Sequence, residues 1–443
     1  MVEANVKIIE ELKCFLETVS NEADIRKLLT EEEGDFSRHR KLTLERVVGI
    51  IINMPKRSLS IEIQEFFDSL EKDLESATKG AFSLQRSKLK PLFFEVWNQW
   101  LVSSFYHYYG DNVKRWRGFR LQAVDGSSVY LLNKPGLIKH FGTHKNQHGD
   151  TAIARVLQVH DVLNDITVWG GIYPIKKSEK AIIAERVPYL AEDSLTLFDR
   201  GFPSYGLMYL MMNEETPRCF VIRCPNTFNN EVTKFARSSK RSAIVELTPS
   251  HKSIAMLKGN GYNVTKDTVI KVRMVQVNLP NGEQEILLTN LYDENLYSVE
   301  DLKYLYGLRW GIETAYNKQK NQYQMEQFSG IRVVCIQQDY AAGLFVANLQ
   351  SLIEKQSCHY LYRVNQRRVH NYKINRNVGI GSLKYNIVQL FLSANPTEIL
   401  RQIQRKFERH LEPERPGRQY QRCKKAKRMT GKYQTFTNYK RAI

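Results

Sequence analysis

The chain has 443 residues, which is more than a single compact hydrophobic core usually organises, so we expect two to four structural units. Hydrophobic residues make up 42% of the chain and aromatic residues 11%, enough to build a core and to exclude a wholly disordered protein. The 65 Lys and Arg residues outnumber the 47 Asp and Glu residues, and the resulting formal charge of +18 favours a polyanionic partner.

The leading segment, residues 1–118, is comparatively poor in Gly and Pro and carries apolar residues at helical spacing, so we expect a helical N-terminal domain. Within it, residues 36–41 (FSRHRK) place four cationic or titratable side chains before an amphipathic helix. Such a cluster suits phosphate contact, and a solvated helix entry explains it equally well.

From about residue 119 the pattern changes from helix to strand. Alternating or short apolar runs predict four strands in this region. We expect residues 163–165 to form the turn between the second and third strands, and one helix to separate the third strand from the fourth. In chain order the predicted elements are a strand at 119–132, two strands within 152–173, a helix at 178–190 and a strand at 194–199. This order predicts an α/β layer with a mixed sheet over residues 119–225.

Residues 226–298 interrupt this α/β rhythm. Two runs that are rich in β-forming residues, 269–277 and 285–291, flank Pro280-Asn281-Gly282 and predict a hairpin around an Asn-Gly turn. We therefore interpret this segment as a β-rich insertion.

Helical periodicity resumes after the insertion, with predicted helices at 298–328, 339–354, 381–392 and 396–411. We expect residues 299–380 to complete the α/β core and residues 381–443 to form a basic helical C-terminal region. Residues 401–443 hold 14 Lys and Arg against 3 Glu. A block of this kind is either a solvated tail or, with its interleaved aromatic residues, a nucleic-acid-binding segment.

The predicted helix after residue 298 carries a polar stripe. At about 100° per residue, four polar side chains share an arc of roughly 60° beside an apolar face. They are Tyr306, Arg309, Glu313 and Lys320. A surface helix with one ion pair between Arg309 and Glu313 would explain the same spacing.

Two aspartates lie in or directly after predicted strands. Asp125 follows apolar residues in LQAVDGSSVYL, and Asp199 ends the short apolar run in LTLFDRGFPS. Acidic residues are disfavoured in strands and costly to bury, and a divalent cation with oxygen ligands would offset that cost. Both motifs also read as ordinary turns, because Asp-Gly and Asp-Arg-Gly are typical turn sequences.

Taken together, these motifs resemble a known family. The spacing of Tyr306, Arg309, Glu313 and Lys320 is similar to the Tyr-Arg-Glu-Lys signature of bacterial insertion-sequence transposases with an RNase H-like core and an Asp-Asp-Glu triad. Asp125 in DGSSV and Asp199 in FDRGF match the family's two Asp motifs, and residues 289–291 resemble its strand motif before the last helix. The resemblance covers about residues 36–330.

The resemblance implies a cut-and-paste DNA transposase. Asp125, Asp199 and Glu313 would be the catalytic residues and would hold two Mg²⁺ ions, with Mn²⁺ able to substitute, for in-line displacement at phosphorus. The residues expected to bind DNA phosphates are Tyr306, Arg309, Lys320, Arg223 and Arg200. Arg309 can give two parallel hydrogen bonds, whereas Lys320 acts as a point charge.

Partners and steps follow from the same resemblance. It implies binding of transposon-end inverted repeats through residues 1–118, joining of a freed 3′-OH to target DNA, and a homodimer on paired ends, with residues 381–443 in dimerisation or DNA contact. The family associates a hairpin step with a Trp in the insertion, and none of the five Trp residues falls in 226–298. Tyr262 and Tyr292 are the aromatic candidates there.

Other site classes have weaker support in the sequence. His140, His144 and His148 recur every four residues and would align as zinc ligands on a helix, but Gly142 and Gly149 make a helix doubtful there. The sequence has no GxxxxGK[ST] or GxGxxG motif, so we expect no nucleotide cofactor. Two alternatives stay open: a non-catalytic DNA-binding protein on the same scaffold, and a hydrolase that cuts strands but cannot join them.

The sequence also indicates a cellular location. The longest apolar stretches, residues 47–53 and 207–212, fall far short of the roughly 20 residues of a membrane-spanning helix, and the N-terminus does not resemble a secretory signal. The six cysteines form no CxxC pair, which is typical of reduced thiols. We expect a cytoplasmic, nucleoid-associated protein with no membrane partner.

Overall fold

The computed structural model describes residues 2–38, 40–70, 76–146, 149–278 and 282–414. The chain divides into two compact units. The first unit comprises Met1–Tyr108, Gln319–Ser329 and Phe345–Ile443, and the second comprises Tyr109–Lys318 and Gly330–Leu344. Of the basic block at 401–443, residues 415–443 lie outside the described residues, as does His148.

The described residues form the following elements. The α-helices are α1 Val2–Asn21, α2 Ala23–Leu29, α3 Leu44–Ile52, α4 Leu59–Asp68, α5 Lys79–Arg86, α6 Leu92–Tyr109, α7 Pro135–Phe141, α8 Glu179–Ala184, α9 Tyr205–Met212, α10 Asn230–Ala236, α11 His251–Gly259, α12 Val299–Gly307, α13 Trp310–Asn321, α14 Val333–Gln356, α15 Cys358–Asn365, α16 Arg376–Leu392 and α17 Pro396–Arg409. The strands are β1 Arg120–Tyr130, β2 Thr143–Asn146, β3 Gly149–Asp161, β4 Ile166–Pro174, β5 Ser194–Phe198, β6 Cys219–Cys224, β7 Ser242–Leu247, β8 Ile270–Asn278, β9 Gln284–Thr289, β10 Tyr372–Ile374 and β11 Leu411–Pro413.

The first unit is mainly helical and is built around a buried tryptophan. Trp97 of α6 is fully buried, and its ring stacks on Phe345 of α14 with 4.0 Å between the ring centroids. Phe391 of α16 packs against the same indole at 4.9 Å. The indole N–H donates to the carbonyl of Leu12 in α1 at 3.0 Å, so the polar atom of this large side chain is satisfied.

The second unit is organised by a nine-stranded mixed sheet with the order β2-β3-β1-β5-β6-β9-β8-β7, in which β4 also pairs with β3. Strands β1, β5 and β6 are parallel to one another, whereas β3 is antiparallel to β1. The sequence predicted strand, strand, strand, helix, strand and a mixed sheet, and the mixed α/β sheet is confirmed. The helix α8 is shorter than predicted, because Pro188 cannot continue an α-helix after Ala184.

The segment 226–298 extends this sheet. The hairpin of β8 and β9 forms as predicted, and β9 pairs with β6 so that the sheet continues without a break. The segment is not purely β-rich, because it also contains α10 and α11. Residues 279–281 of the expected Asn-Gly turn lie outside the described residues, and Gly282 has a φ of +81°, a conformation that favours glycine.

The two faces of the sheet differ in character. Val124, Phe198 and Ile222 point to one face, where they join an apolar core that also contains residues of α8 to α11. Because neighbouring residues of a strand point to opposite faces, Asp125 and Arg223, which follow Val124 and Ile222 within their strands, point to the other face. That second face carries the candidate site.

The long helix predicted for 298–328 is instead two helices. Helix α12 ends at Gly307 and α13 begins at Trp310, with the N–H groups of Leu308 and Arg309 bonded three residues back, to Leu305 and Tyr306. The shared 60° arc calculated for Tyr306 to Lys320 therefore does not apply across this junction. The apolar spacing continues through it, which is why the sequence pattern did not reveal the break.

In the part of the chain that the structure describes, no helix is both long enough and apolar enough to cross a membrane.

Candidate active site

Asp125 and Asp199 directly follow two paired residues of neighbouring parallel strands. Val124 of β1 pairs with Phe198, the last residue of β5. Asp125 is the next residue of β1, and Asp199 is the first residue after β5. Paired parallel strands lie about 4.8 Å apart. The two aspartates therefore lie at the same end of the sheet, where the charge of Asp199 helps to raise the pKa of Asp125.

The same register continues into the third parallel strand. Phe198 pairs with Ile222 of β6, and Arg223 is the next residue of β6. Asp125, Asp199 and Arg223 thus form a row of charged residues that directly follow paired residues of three adjacent strands. The sequence predicted each of these residues separately, and the strand register brings them together.

Backbone amides hold both aspartates in place. The Oδ1 atom of Asp125 accepts from the N–H of Gly126 at 2.9 Å, and that of Asp199 accepts from the N–H of Gly201 at 2.7 Å. A Cβ atom at Gly201 would lie 2.9 Å from Oδ1 of Asp199. Glycine at this position lets the backbone approach the carboxylate closely.

Helix α13 is tied to β1 at Asp125. The hydroxyl of the buried Tyr316 donates to the backbone carbonyl of Asp125 at 2.9 Å. Glu313 lies three residues earlier on the same helix, and residues three apart share a helix face. This hydrogen bond therefore brings Glu313 towards the end of β1 that carries Asp125. Sequence analysis missed Tyr316, because only the folded chain brings it to residue 125.

The carboxylates interact electrostatically. The pKa of Asp125 is raised to about 7, mainly by burial and then by the negative charge of Asp199. Glu313 adds to the increase, while Arg309 and the amide of Gly126 oppose it. Asp125 is thus close enough to be repelled by both Asp199 and Glu313, and a bound cation would relieve that repulsion.

Arg309 connects Glu313 to the rest of the site. Its Nη2 atom donates to Oε1 of Glu313 at 2.6 Å, and its side chain is only 8% exposed. Its guanidinium carbon lies 5.8 Å from the ring centroid of Tyr306. The Nε atom of Arg309 and the hydroxyl of Tyr306 are buried and have no hydrogen-bond partner among the described residues.

These two unsatisfied donors lower the stability of the free protein. A buried polar group without a hydrogen-bond partner costs roughly 1–3 kcal/mol, and a bound ligand that supplies an acceptor would remove this cost. Burial raises the pKa of Tyr306 to about 12, so its hydroxyl keeps its proton at neutral pH. A phosphate oxygen is an acceptor that both donors could serve.

Glu285 is a functional candidate that the sequence analysis missed. It is 6% exposed at the start of β9 and forms an ion pair with Arg223. Burial raises the pKa of Glu285, and the positive charges of Arg223, Arg309 and Arg200 oppose the increase. An acid in a predicted strand was the signal that singled out Asp125, and the same signal is present at Glu285.

The remaining predicted residues are placed as follows. Arg200 is exposed directly after Asp199, close enough to Glu285 to affect its pKa. Lys320 lies two turns beyond Glu313 on α13, in the first unit, and is ion-paired to Glu326 at 3.8 Å. His140 lies on α7 and His144 on β2, so these two do not share the helix that a zinc site would need.

A completed metal site is absent from the described residues, in which no group of three or more His, Cys, Asp or Glu side chains is arranged to hold an ion. Glu313 is engaged by Arg309 instead. The chemistry of the donors nevertheless fits Mg²⁺, which prefers carboxylate oxygens. The pKa of Asp125 is raised first by burial and then by the charge of Asp199, and a bound cation would favour the charged carboxylate against both.

Comparisons with known proteins give little further information. No protein-family model matches the chain. No curated protein matches it either. Among solved structures, the chain is similar to a piggyBac transposase in a synaptic complex with hairpin DNA, with a TM-score of 0.41 and 11% identity over 93% of this chain and 86% of that one. A likeness this distant supports neither a fold family nor a function for the chain.

Proposed function

We propose that the chain is a cut-and-paste DNA transposase with an RNase H-like core that cleaves transposon ends and joins the freed 3′-OH to target DNA. One observation carries the proposal. Asp125 and Asp199 directly follow paired residues of two adjacent parallel strands, and both Asp199 and Glu313 are close enough to raise the pKa of Asp125. The sequence motifs selected these same three acids for their resemblance to an insertion-sequence Asp-Asp-Glu triad.

In this proposal Asp125, Asp199 and Glu313 hold two Mg²⁺ ions, and Mn²⁺ can replace them. When bound, such ions polarise phosphoryl oxygens and lower the pKa of an attacking water or hydroxyl. To bind a metal ion, Glu313 has to give up the hydrogen bond that it accepts from Arg309. This change leaves Arg309 free to donate to a phosphate, so metal and DNA binding would support each other.

The cationic and phenolic side chains around the acids orient the DNA. Arg309 and Tyr306 each carry a buried donor without a partner, which suits a phosphate beside the scissile bond. Arg223 lies in the same row as the two aspartates, and Glu285 holds its guanidinium in position. Arg200 and Lys320 would contact phosphates further along the strand.

The partners in this proposal are inverted-repeat DNA at the transposon ends, target DNA and a second copy of the chain. Two copies would assemble on paired ends and cut in trans. An active complex that contains one chain on one end would contradict this arrangement.

The test is a cleavage and joining assay on duplex DNA that ends in the element's own terminal repeat. With Mg²⁺ we expect a nick that frees the 3′-OH, followed by joining to a second duplex, and neither product in the presence of a chelator. A purified chain that binds ends but never cuts would favour the non-catalytic DNA-binding alternative. Cutting without joining would favour the hydrolase.

Tyr306→Phe is expected to separate stability from activity. In the free protein the hydroxyl has no partner, so its removal should leave the melting temperature unchanged or raise it. With DNA bound, the variant loses a hydrogen bond to a charged group, which is worth about 1.5–3 kcal/mol, so cleavage should fall ~10-fold to 100-fold. Thermal unfolding and single-turnover cleavage measure the two effects.

Tyr304→Phe is the matched control for this variant. Tyr304 lies on the same helix, α12, but is 65% exposed, so the same chemical change should alter neither measurement. A Tyr306→Phe protein that melts lower than wild type but cleaves normally would contradict the role given to the hydroxyl.

A further inference from the structure

The first unit contains a pocket in which three of the six lining residues are arginines. It has a volume of about 420 Å³ and is lined by Tyr360, Arg368, Arg405, Glu408, Arg409 and Leu411. These residues come from α15, from the turn that follows α15, from α17 and from β11. We call it the arginine pocket.

The cations of the arginine pocket are not neutralised by the surrounding protein. Arg368, Arg405 and Arg409 are exposed, and none of them forms an ion pair with an acid within the described residues. Glu408 is the only acid in the lining, and its Oε1 atom accepts from the side chain of Gln404 at 2.8 Å. Arg405 and Arg409 are four residues apart on α17, a spacing at which like charges repel. An anion between them would remove that repulsion.

The chain around the pocket is also basic. Residues 358–376 contain five Arg and Lys residues and no Asp or Glu. Three tyrosines, Tyr360, Tyr362 and Tyr372, are interleaved with them, and the guanidinium carbon of Arg368 lies 4.3 Å from the ring centroid of Tyr372. Clustered Arg and Lys with interleaved aromatic residues form the footprint of a surface that binds nucleic acid.

Backbone pairing keeps the lining segments together. Strands β10 and β11 form a short antiparallel ladder that joins the segment after α15 to the segment after α17. The side chain of Asn365 accepts a hydrogen bond from the N–H of Tyr372 at 2.7 Å and donates one to the carbonyl of Tyr372 at 3.1 Å. The N–H of Asn375 donates to the carbonyl of His410 at 2.9 Å. The arginines are therefore presented by a connected frame and not by separate loops.

We propose that the arginine pocket binds the phosphate backbone of duplex DNA, as a second DNA contact that is separate in sequence from the residues of the candidate active site. The proposal rests on the DNA-processing function given above, and it assigns part of the DNA binding to the arginine pocket. Guanidinium groups suit phosphate because they can donate two parallel hydrogen bonds. Contacts of this kind carry no sequence information, so the pocket should hold transposon ends and unrelated DNA equally well.

The test measures DNA affinity as a function of salt for the full chain, using fluorescence anisotropy with one end-repeat duplex and one unrelated duplex. Each phosphate contact contributes about 0.9 to the slope of log affinity against log salt. The double variant with Arg405→Gln and Arg409→Gln should therefore lower the slope by about 1.8 and weaken both duplexes by the same factor. Glutamine keeps most of the side-chain length, and an unchanged melting curve confirms the fold.

Arg401→Gln is the matched control. Arg401 lies on the same helix and is exposed, but it is ion-paired to Glu398 at 3.8 Å and does not line the pocket. If the double variant and the Arg401→Gln control lower the slope equally for each charge removed, the effect is a general electrostatic attraction and the pocket assignment is overturned. If wild-type binding is itself independent of salt, the proposed function fails as well. An unchanged slope in the double variant, with wild-type binding that depends on salt, would also overturn the pocket assignment while leaving the proposed function intact.

Discussion

Glu313→Gln should lower the rate of strand cleavage at least ~10³-fold while end binding stays largely intact, because losing a metal-holding carboxylate removes several kcal/mol of transition-state stabilisation. Glutamine has nearly the same shape and still accepts the hydrogen bond from Arg309, so the fold should not change. Cleavage of labelled end DNA and a gel-shift assay give the two measurements.

Glu300→Gln provides the control for this substitution. Glu300 is an exposed residue of α12 that is paired with Arg241 at 2.5 Å, so the same change there should leave cleavage unaffected. Cleavage at the wild-type rate by purified Glu313→Gln protein would refute the assignment of Glu313.

Asp125→Asn should also abolish cleavage, yet it should make the metal-free protein more stable at neutral and alkaline pH. The pKa of Asp125 in the folded chain, about 7, lies above its ordinary value of 3.8. The folded state therefore holds a proton that the unfolded state has released, and the wild type loses stability as the pH rises from about 4 to about 7. Asparagine carries no charge, so the variant avoids this loss.

The expected difference can be followed by thermal unfolding in a chelator. Near pH 4 the two proteins should differ little, and above pH 7 the variant should be more stable by about 1–2 kcal/mol, a value reduced for the partial exposure of the carboxylate. In a unit of roughly 200 residues this corresponds to a rise of about 2–8 °C in melting temperature. Asp267→Asn, at an exposed turn, should not change this pH dependence. A variant that is less stable than wild type at pH 8 would contradict the repulsion at the site.

Much of the second unit could be predicted from local sequence. The apolar runs before Asp125 and Asp199 predicted strands β1 and β5, and the Asn-Gly signal predicted the β8–β9 hairpin, because each pattern depends on residues close in sequence. The two aspartates were also identified from their unusual position at strand ends. Their proximity depends on the pairing of Val124 with Phe198, between strands about 70 residues apart in sequence, and could not be predicted from either motif.

The parts that were missed depend on contacts that are distant in sequence. Glu285 became a candidate only when β9 was found beside β6, where it meets Arg223. Tyr316 acquires its role from the backbone of Asp125, 191 residues earlier. The break between α12 and α13 is local, but periodicity cannot detect it, since Leu308 and Ile312 continue the apolar spacing across the junction.

The most direct test of the central claim is X-ray diffraction at the manganese absorption edge from crystals grown with Mn²⁺. We expect anomalous peaks within about 2.0–2.3 Å of carboxylate oxygens of Asp125 and Asp199, with Glu313 turned from Arg309 towards an ion. The peaks should disappear in crystals of Asp125→Asn. Manganese bound elsewhere, with these three carboxylates free of metal at saturating Mn²⁺, would contradict the account.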